Sequence, residues 1–519
     1  MEEYPREVQG HPLLLASLVG ATAIHQQLTE ALHEVAVNAC GQRRFKYLSS
    51  SYDMRILPAK RGARDNANYR IEGILKRSWL EKMCGTIPAV LVLCIDWSEE
   101  LSQPEQEESQ ALHYLQHAQR QAKERDWRLV LFVLLHAKTA DPEAACSALH
   151  SEHDRNATIV AMGMEDLAAK VPSLERLIYK NAIAFYADEE KRLRKAWNPK
   201  VPNTAMQIAM QVRTNFKAAF LNEFRKDARG SLTAYVKAYE QLLKESDIID
   251  FLERMDLCNH ITLRMWQRYF SSHDVGAAVH HCRVHVSSLK KCCSENSEYV
   301  WRKWHWLSLN HQIFGDLLDT IAQKVPLLID HSDIWQFPGF HFQSAAIYAR
   351  RLREWAIWCL QPGHLPLASN AGGELLPSPF VGQAGNLERP SEVSVPKDEV
   401  ALRLAWEQAK NHQVHTERSL KLMIRAQAAA KERNLTSWIA SSQVRVAETY
   451  LCDHGSSHQQ AALDFFERLR KQPSGSSCCS SWAPFRRFFL ERSILCGCTQ
   501  LGLPPPAVCS STRDAPTIL

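Results

Sequence analysis

The 519-residue chain is long enough for about three domains at roughly 150 residues each. Its apolar share of 45%, with 14 Trp, 13 Tyr and 18 Phe, supplies large cores. Its 62 Lys and Arg stand against 57 Asp and Glu, and a net charge of +5 gives no reason to infer nucleic acid as the main partner.

The N-terminus carries Glu2, Glu3 and Glu7 against Arg6, and Pro12 interrupts the apolar stretch that follows, so a signal peptide is not expected. LLLASLV (13–19) reads as a strand, followed by helical residues from about 23 to 39. AVLVLCI (89–95), RLVLFVLL (128–135) and ATIVAM (157–162) are continuous apolar runs of strand length, the pattern of strands covered on both faces. Helical stretches lie between them, at about 105–125 and 142–150. The alternation predicts βαβ units and an open three-layer α/β domain over 1–195. The apolar runs Ile87 to Ile95 and Leu129 to Leu135 are well short of the ~20 residues that span a bilayer. Fifteen cysteines without framework spacing suit reduced thiols in the cytosol.

After Trp197-Asn198-Pro199 the period becomes helical. Phe216, Phe220 and Phe224 form one stripe. Ala234, Ala238, Tyr239 and Leu242 form the next, after a break read at Gly230-Ser231. Trp304, Leu307, His311, Phe314, Leu318 and Ile321 make a third. Amphipathic helices in series predict a tetratricopeptide-like α-solenoid over 198–360, without a strict 34-residue repeat. Pro338-Gly339 reads as a chain break ahead of a helix that starts at Phe340. Ala345, Ala346 and Ala349 then allow a neighbouring backbone to approach closely. Six Pro and five Gly within 361–397 mark a flexible insertion. Helical patterning resumes over 398–472, and 473–519 reads as a disordered tail.

Chemistry is sparse. Neither G-x-x-x-x-G-K-[ST] nor G-x-G-x-x-G occurs, so no loop presents backbone N–H groups to a phosphate in either usual way. H-E-x-x-H and G-x-S-x-G are missing too. The best metal candidate groups His280, His281, Cys282, His285, Cys292 and Cys293, but its spacing matches no zinc pattern and it reads as plain helix. His311 reads as a hydrogen-bonded core histidine, and Cys496-Gly497-Cys498 as tail. FRRFFLER (485–492) is too short for more than a small membrane or nucleic-acid contact. Lys191, Arg192, Arg194 and Lys195 read as the solvated face of a long helix. An enzyme on the α/β half would use Asp96, Glu99, His136 and Lys138 at the strand ends, where a lone Asp is more often a cap or turn residue. No catalytic, cofactor-binding or metal-binding residue is assigned.

Four segments resemble the foie-gras family, the large subunit of trafficking protein particle (TRAPP) vesicle-tethering complexes, and occur in that family's order. GILKRSWLEKMCGTIPAVLVLCIDW (73–97) carries Gly73, Leu75, Trp79 and Pro88; TNFKAAFLNEF (214–224) carries Phe216 and Phe220. HQIFGDLLDTI (311–321) carries Gly315, Asp316 and Leu317. WQFPGFHFQSAAIYA (335–349) carries Pro338, Gly339, Phe340, Ala345, Ala346, Tyr348 and Ala349. The resemblance implies that these residues serve packing or partner contact. It also implies a non-catalytic subunit that needs no cofactor, contacts other TRAPP subunits, and acts indirectly on a Rab-type GTPase. Such a subunit is cytoplasmic and peripheral on cis-Golgi and ER-Golgi intermediate membranes. Family members continue into β-rich C-terminal domains, so a truncated form is expected, and the tail from Pro473 resembles nothing in the family. An enzyme on the α/β domain and an RNA-binding helical repeat are the alternatives.

Overall fold

Continuous apolar runs become strands when neighbouring elements cover both faces. The computed structural model describes residues 10–20, 28–32, 34–35, 45–50, 74–75, 79–96, 116–120, 122–123, 128–135, 157–163, 166–195, 205–244, 251–293, 300–330, 332–359, 412–435, 438–439 and 446. Strands β1 (Leu14–Gly20), β2 (Phe45–Ser50), β3 (Val90–Asp96), β4 (Arg128–Leu135) and β5 (Ala157–Gly163) form one parallel sheet in the order β2-β1-β3-β4-β5. The four expected strands are all present, within a residue or so of their predicted bounds. β2, FKYLSS, was not expected. It sits at the sheet edge with Lys46 exposed and Tyr47 half-buried, so it lacks the apolar run that marks a strand covered on both faces.

Nine helices of seven or more residues are described: α1 (Trp79–Gly85), α2 (Leu167–Lys195), α3 (Ala205–Phe224), α4 (Ala228–Lys244), α5 (Phe251–Ser271), α6 (Val275–Lys291), α7 (Val300–Lys324), α8 (Pro338–Cys359) and α9 (His412–Glu432). α2 packs against β1, β3, β4 and β5 and also against α3, so one helix belongs to both halves. Tyr186 of α2 stacks on Phe224 of α3 with ring centroids 4.3 Å apart. From α3 to α9 each helix packs on the next in chain order, and α5 also meets α7. One continuous hydrophobic core runs from the sheet (Leu18, Val92, Phe132) through Phe216 and Trp266 to Phe314. A smaller one joins Phe342, Ala345 and Ala346 of α8 to Leu422, Met423 and Ala426 of α9.

Three helices end in the same way. Lys226, His273 and Asn434 take left-handed φ values of 58°, 60° and 55°. In each case two backbone N–H groups fold back on the last turn: Lys226 to Glu223 and Asp227 to Asn222, His273 to Phe270 and Asp274 to Tyr269, Asn434 to Lys431 and Leu435 to Ala430. This double bond closes the orphan carbonyls of a helix end. Asp227 and Asp274 then accept from Gly230 and Ala277 and cap the following helix. The break therefore falls at 225–227, and Gly230 lies inside the first turn of α4, which corrects the break read at Gly230-Ser231. Similarly, Pro338-Gly339 begins α8 rather than preceding it, because proline fits the first helical position where no N–H bond is lost.

The two halves are also joined by buried charge. Glu223 of α3 accepts from the Tyr235 hydroxyl at 2.7 Å and from Arg264 of α5 through both carboxylate oxygens. Both side chains of that ion pair are fully buried. Arg264 Nη1 also donates to the Gly10 carbonyl at 2.6 Å, and Arg268 donates to the His11 ring, so the lead-in to β1 is tied to α5. Removing one partner strands a buried charge. Glu223→Gln should lower unfolding stability by about 3–5 kcal/mol in urea titration, and an unchanged midpoint would show that Arg264 finds water or another acceptor.

Candidate functional site

The residues singled out by the resemblance gather at two packing junctions. At the first, Leu75 is buried between the halves, and the backbone of Ile74 beside it donates to Glu253 of α5 and accepts from Arg213 of α3. Trp79 of α1 meets Phe216 and Phe220 of α3 edge-on, at 6.4 and 5.8 Å between centroids. Pro88 is buried just ahead of β3. Gly73 lies outside the described residues.

The second junction is built on α7, α8 and α9. Ala345 and Ala346 are fully buried and face different neighbours: the Ser308 hydroxyl of α7 donates to the Ala345 carbonyl, and the Ser419 hydroxyl of α9 to that of Ala346, each at 2.9 Å. Such bonds to backbone carbonyls need the small side chains that let helices approach. Ala349 is buried on the same helix. Gly315 of α7 has the same logic, because a Cβ there would lie 2.8 Å from the Phe342 ring. Arg425 of α9 covers the Phe342 ring at 4.0 Å and pairs with Asp316 beside that glycine. Leu317 is partly buried against the main core. A Cβ on Gly339 would meet the Phe337 ring at 2.5 Å.

Between α7 and α8 lies a ring of aromatics and histidines. His341 Nε2 bonds the Trp335 carbonyl at 2.9 Å, which places its proton there, and His341 Nδ1 then accepts from His311 Nδ1 at 3.1 Å. Phe340 packs on Trp335 and Tyr348 on His311. On α6, His285 Nδ1 takes the Tyr239 hydroxyl at 2.9 Å and its Nε2 gives to Asn259 at 3.0 Å. His281 reaches the Thr262 hydroxyl at 3.2 Å. Of the three rings of the metal candidate, His281 and His285 are thus engaged in hydrogen bonds between helices, and His280 is exposed. Cys292 and Cys293 follow the end of α6 and are half-buried. Burial pushes the Cys94 and Cys258 thiols up to about 12, leaving them protonated at neutral pH.

The strand order reverses direction between β1 and β3, where sheets of this kind place ligands beyond the strand ends. Asp96 closes β3 there. Glu99, His136 and Lys138 lie outside the described residues, as do Cys496, Cys498 and 485–492. Near the second junction, a cavity of about 170 Å³ between α7, α8 and α9 is lined by Asp319, Pro326, Pro338 and Arg433. It is smaller than the roughly 300 Å³ of an ordinary ligand pocket. Among the described residues no helix is long and apolar enough to cross a membrane.

Residues 250–499 match the family model described as Foie gras liver health family 1. This stretch is similar to the foie-gras family. This region opens with α5, contains the second junction, and crosses 361–397 and 398–472. It runs on to 499, which corrects the reading that nothing from Pro473 onward is similar to the family; the stretch has no helical period to mark it. The chain is similar to trafficking protein particle complex subunit 11 from Homo sapiens (26% identity), Bos taurus (25%) and Gallus gallus (24%). Each comparison covers 86% of this chain, so the similarity extends beyond residues 250–499, and 40% of the relative. The chain thus spans about two fifths of the length of those relatives.

Two predictions follow from the junctions. Gly315→Ala gains helix propensity but overpacks Phe342, and a net loss of about 1 kcal/mol is expected. Gly276→Ala, where only Asp274 Oδ1 lies within 4 Å, should be neutral or better in the same chemical denaturation series; equal effects would remove the close approach as the cause. The second concerns pH. Burial lowers His281 to about 3 and His260 to about 4, and burial with backbone bonding and charge leaves His341 at about 4; His285 and His311 are also well below their ordinary value. These rings stay neutral in the fold and titrate near 6.5 when unfolded. The unfolded chain therefore binds more protons between about pH 6.5 and 4, and stability falls as pH drops through that window, by up to about 1.4 kcal/mol per pH unit for each ring. Unfolding midpoints at pH 7.5 and 5 should differ in that direction, and a flat profile would contradict the buried neutral state.

Proposed function

We propose that this chain is a non-catalytic scaffold subunit of a TRAPP vesicle-tethering complex, acting in endoplasmic reticulum-to-Golgi transport and autophagy. In this reading it positions, and does not supply, the core that promotes nucleotide exchange on a Rab-type GTPase. It is cytoplasmic and reaches cis-Golgi and intermediate membranes peripherally, through the complex. The observation that carries the reading is where the family-like side chains lie. Those that are described sit in helix-to-helix junctions and in the seam between the sheet and the helices, and the Asp316 carboxylate is taken up by Arg425 within one such junction. The name of the relatives supplies the complex.

The helical half is read as an α-solenoid of degenerate, tetratricopeptide-like repeats. Sequential helix packing supports this, as does recurrence of the same left-handed turn and aspartate cap at Lys226-Asp227 and His273-Asp274, 47 residues apart. Repeats of this kind expose long ridges and leave a wide area for partners.

The test is capture of the tagged full chain from cells, followed by mass spectrometry. Other TRAPP subunits should be enriched over a tag-only control. Recovery of none of them by a chain that still unfolds cooperatively would contradict the assignment.

A further inference from the structure

Two adjoining cavities, of about 540 and 390 Å³, share Arg194, Asn215 and Lys237 and so form one groove between α2, α3 and α4. α4 lines it with Arg229, Thr233, Lys237, Gln241 and Lys244, which recur every three or four residues on one helix face. At about 1.5 Å per residue this face is about 22 Å long. An extended peptide rises about 3.3 Å per residue, so about six or seven residues fill it.

The charges in the groove are unevenly engaged. Glu190 is held by both Arg194 and Arg225, at 2.8 and 2.6 Å, and Asp227 caps α4 through the Gly230 amide. Arg229, Lys237 and Lys244 are exposed, and among the described residues none of them has an ion-pair partner; Glu240 is the acid left to face them. Opposite and between these cations stand the amides of Gln211, Asn215 and Gln241; Asn215 Nδ2 donates to Gln241 Oε1 at 3.2 Å, which leaves Asn215 Oδ1 as an acceptor and Gln241 Nε2 as a donor. An amide offers both a donor and an acceptor, which is what a peptide backbone presents in return. A lipid surface would instead call for a flat face with apolar side chains to insert. Nucleic acid would call for a basic excess that a chain of +5 over 519 residues lacks.

We infer that the α2–α3–α4 groove binds an extended acidic segment of a partner protein, its carboxylates on Arg229, Lys237 and Lys244 and its backbone on the amides. The inference rests on the groove alone and stands or falls separately from the TRAPP reading. It is tested on the full chain by fluorescence anisotropy, with a labelled peptide of about seven residues alternating Glu and Ser as the probe. The probe should bind, its lysine counterpart should not, and added salt should weaken the complex. Lys237→Glu should weaken binding about fivefold or more, whereas Lys421→Glu, the same charge change on an exposed site of α9, should leave it within about twofold. Lys244→Glu serves if Lys237→Glu alters the melting curve. No binding of the probe overturns the inference. So do equal losses in the two α4 and α9 variants, which would leave only net charge. Groove-dependent capture of phosphatidylserine vesicles or single-stranded RNA without the peptide overturns it as well.

Discussion

The buried pair Glu223–Arg264 is the constraint on which the arrangement of the two halves depends. A carboxylate and a guanidinium without water are costly unless every donor and acceptor is met. Here the demand is met by elements that are far apart in sequence. Tyr235 of α4 supplies a hydroxyl to Glu223, and the Gly10 carbonyl and Gln267 take the remaining reach of Arg264. Three consecutive helices and the entry to the inner strand β1 must therefore be in place together. The apolar core continuing from the sheet into α7 supplies the bulk of the stabilisation, while the ion pair fixes the relative placement.

This placement explains why α2 and the 74–88 segment look as they do. α2 carries small and aromatic residues, Ala182, Phe185 and Tyr186, where it leaves the sheet for α3. Its final turns are laced with pairs, Lys191 to Asp188, Arg192 to Glu189 and Arg194 to Glu190. The basic cluster read there as a solvated face is thus partly neutralised along the helix, and Arg194 also lines the groove beside α4.

Much of the architecture was legible because period and burial coincide. Val90–Cys94 and Leu129–Val133 could be read as strands because both faces are covered and no polar residue interrupts them. Phe45–Ser50 could not, because an edge strand is released from that requirement. Helix ends were harder. Glycine is the usual sign of a left-handed cap, and Lys226 and His273 hold that conformation without it; Gly230, the visible glycine, lies four residues after Lys226 inside a helix. At the junctions, Ala345, Ala346 and Gly315 advertise close helix contact by their size. The partners across the contact, Ser308, Ser419 and Phe342, have no spacing signature. Glu223 and Arg264 are 41 residues apart on separate helices, so their pairing exists only in three dimensions.

The proposed positioning role requires sheet and helices to be joined rigidly, since a partner held by one half must keep its geometry relative to the other. Native-state amide hydrogen exchange on the full chain, followed through increasing urea, measures this directly. β1, β3, β4 and α3 to α5 should lose protection together at one free energy, as a single cooperative unit. Opening of the sheet at a urea concentration that leaves α3 to α5 protected would contradict the account.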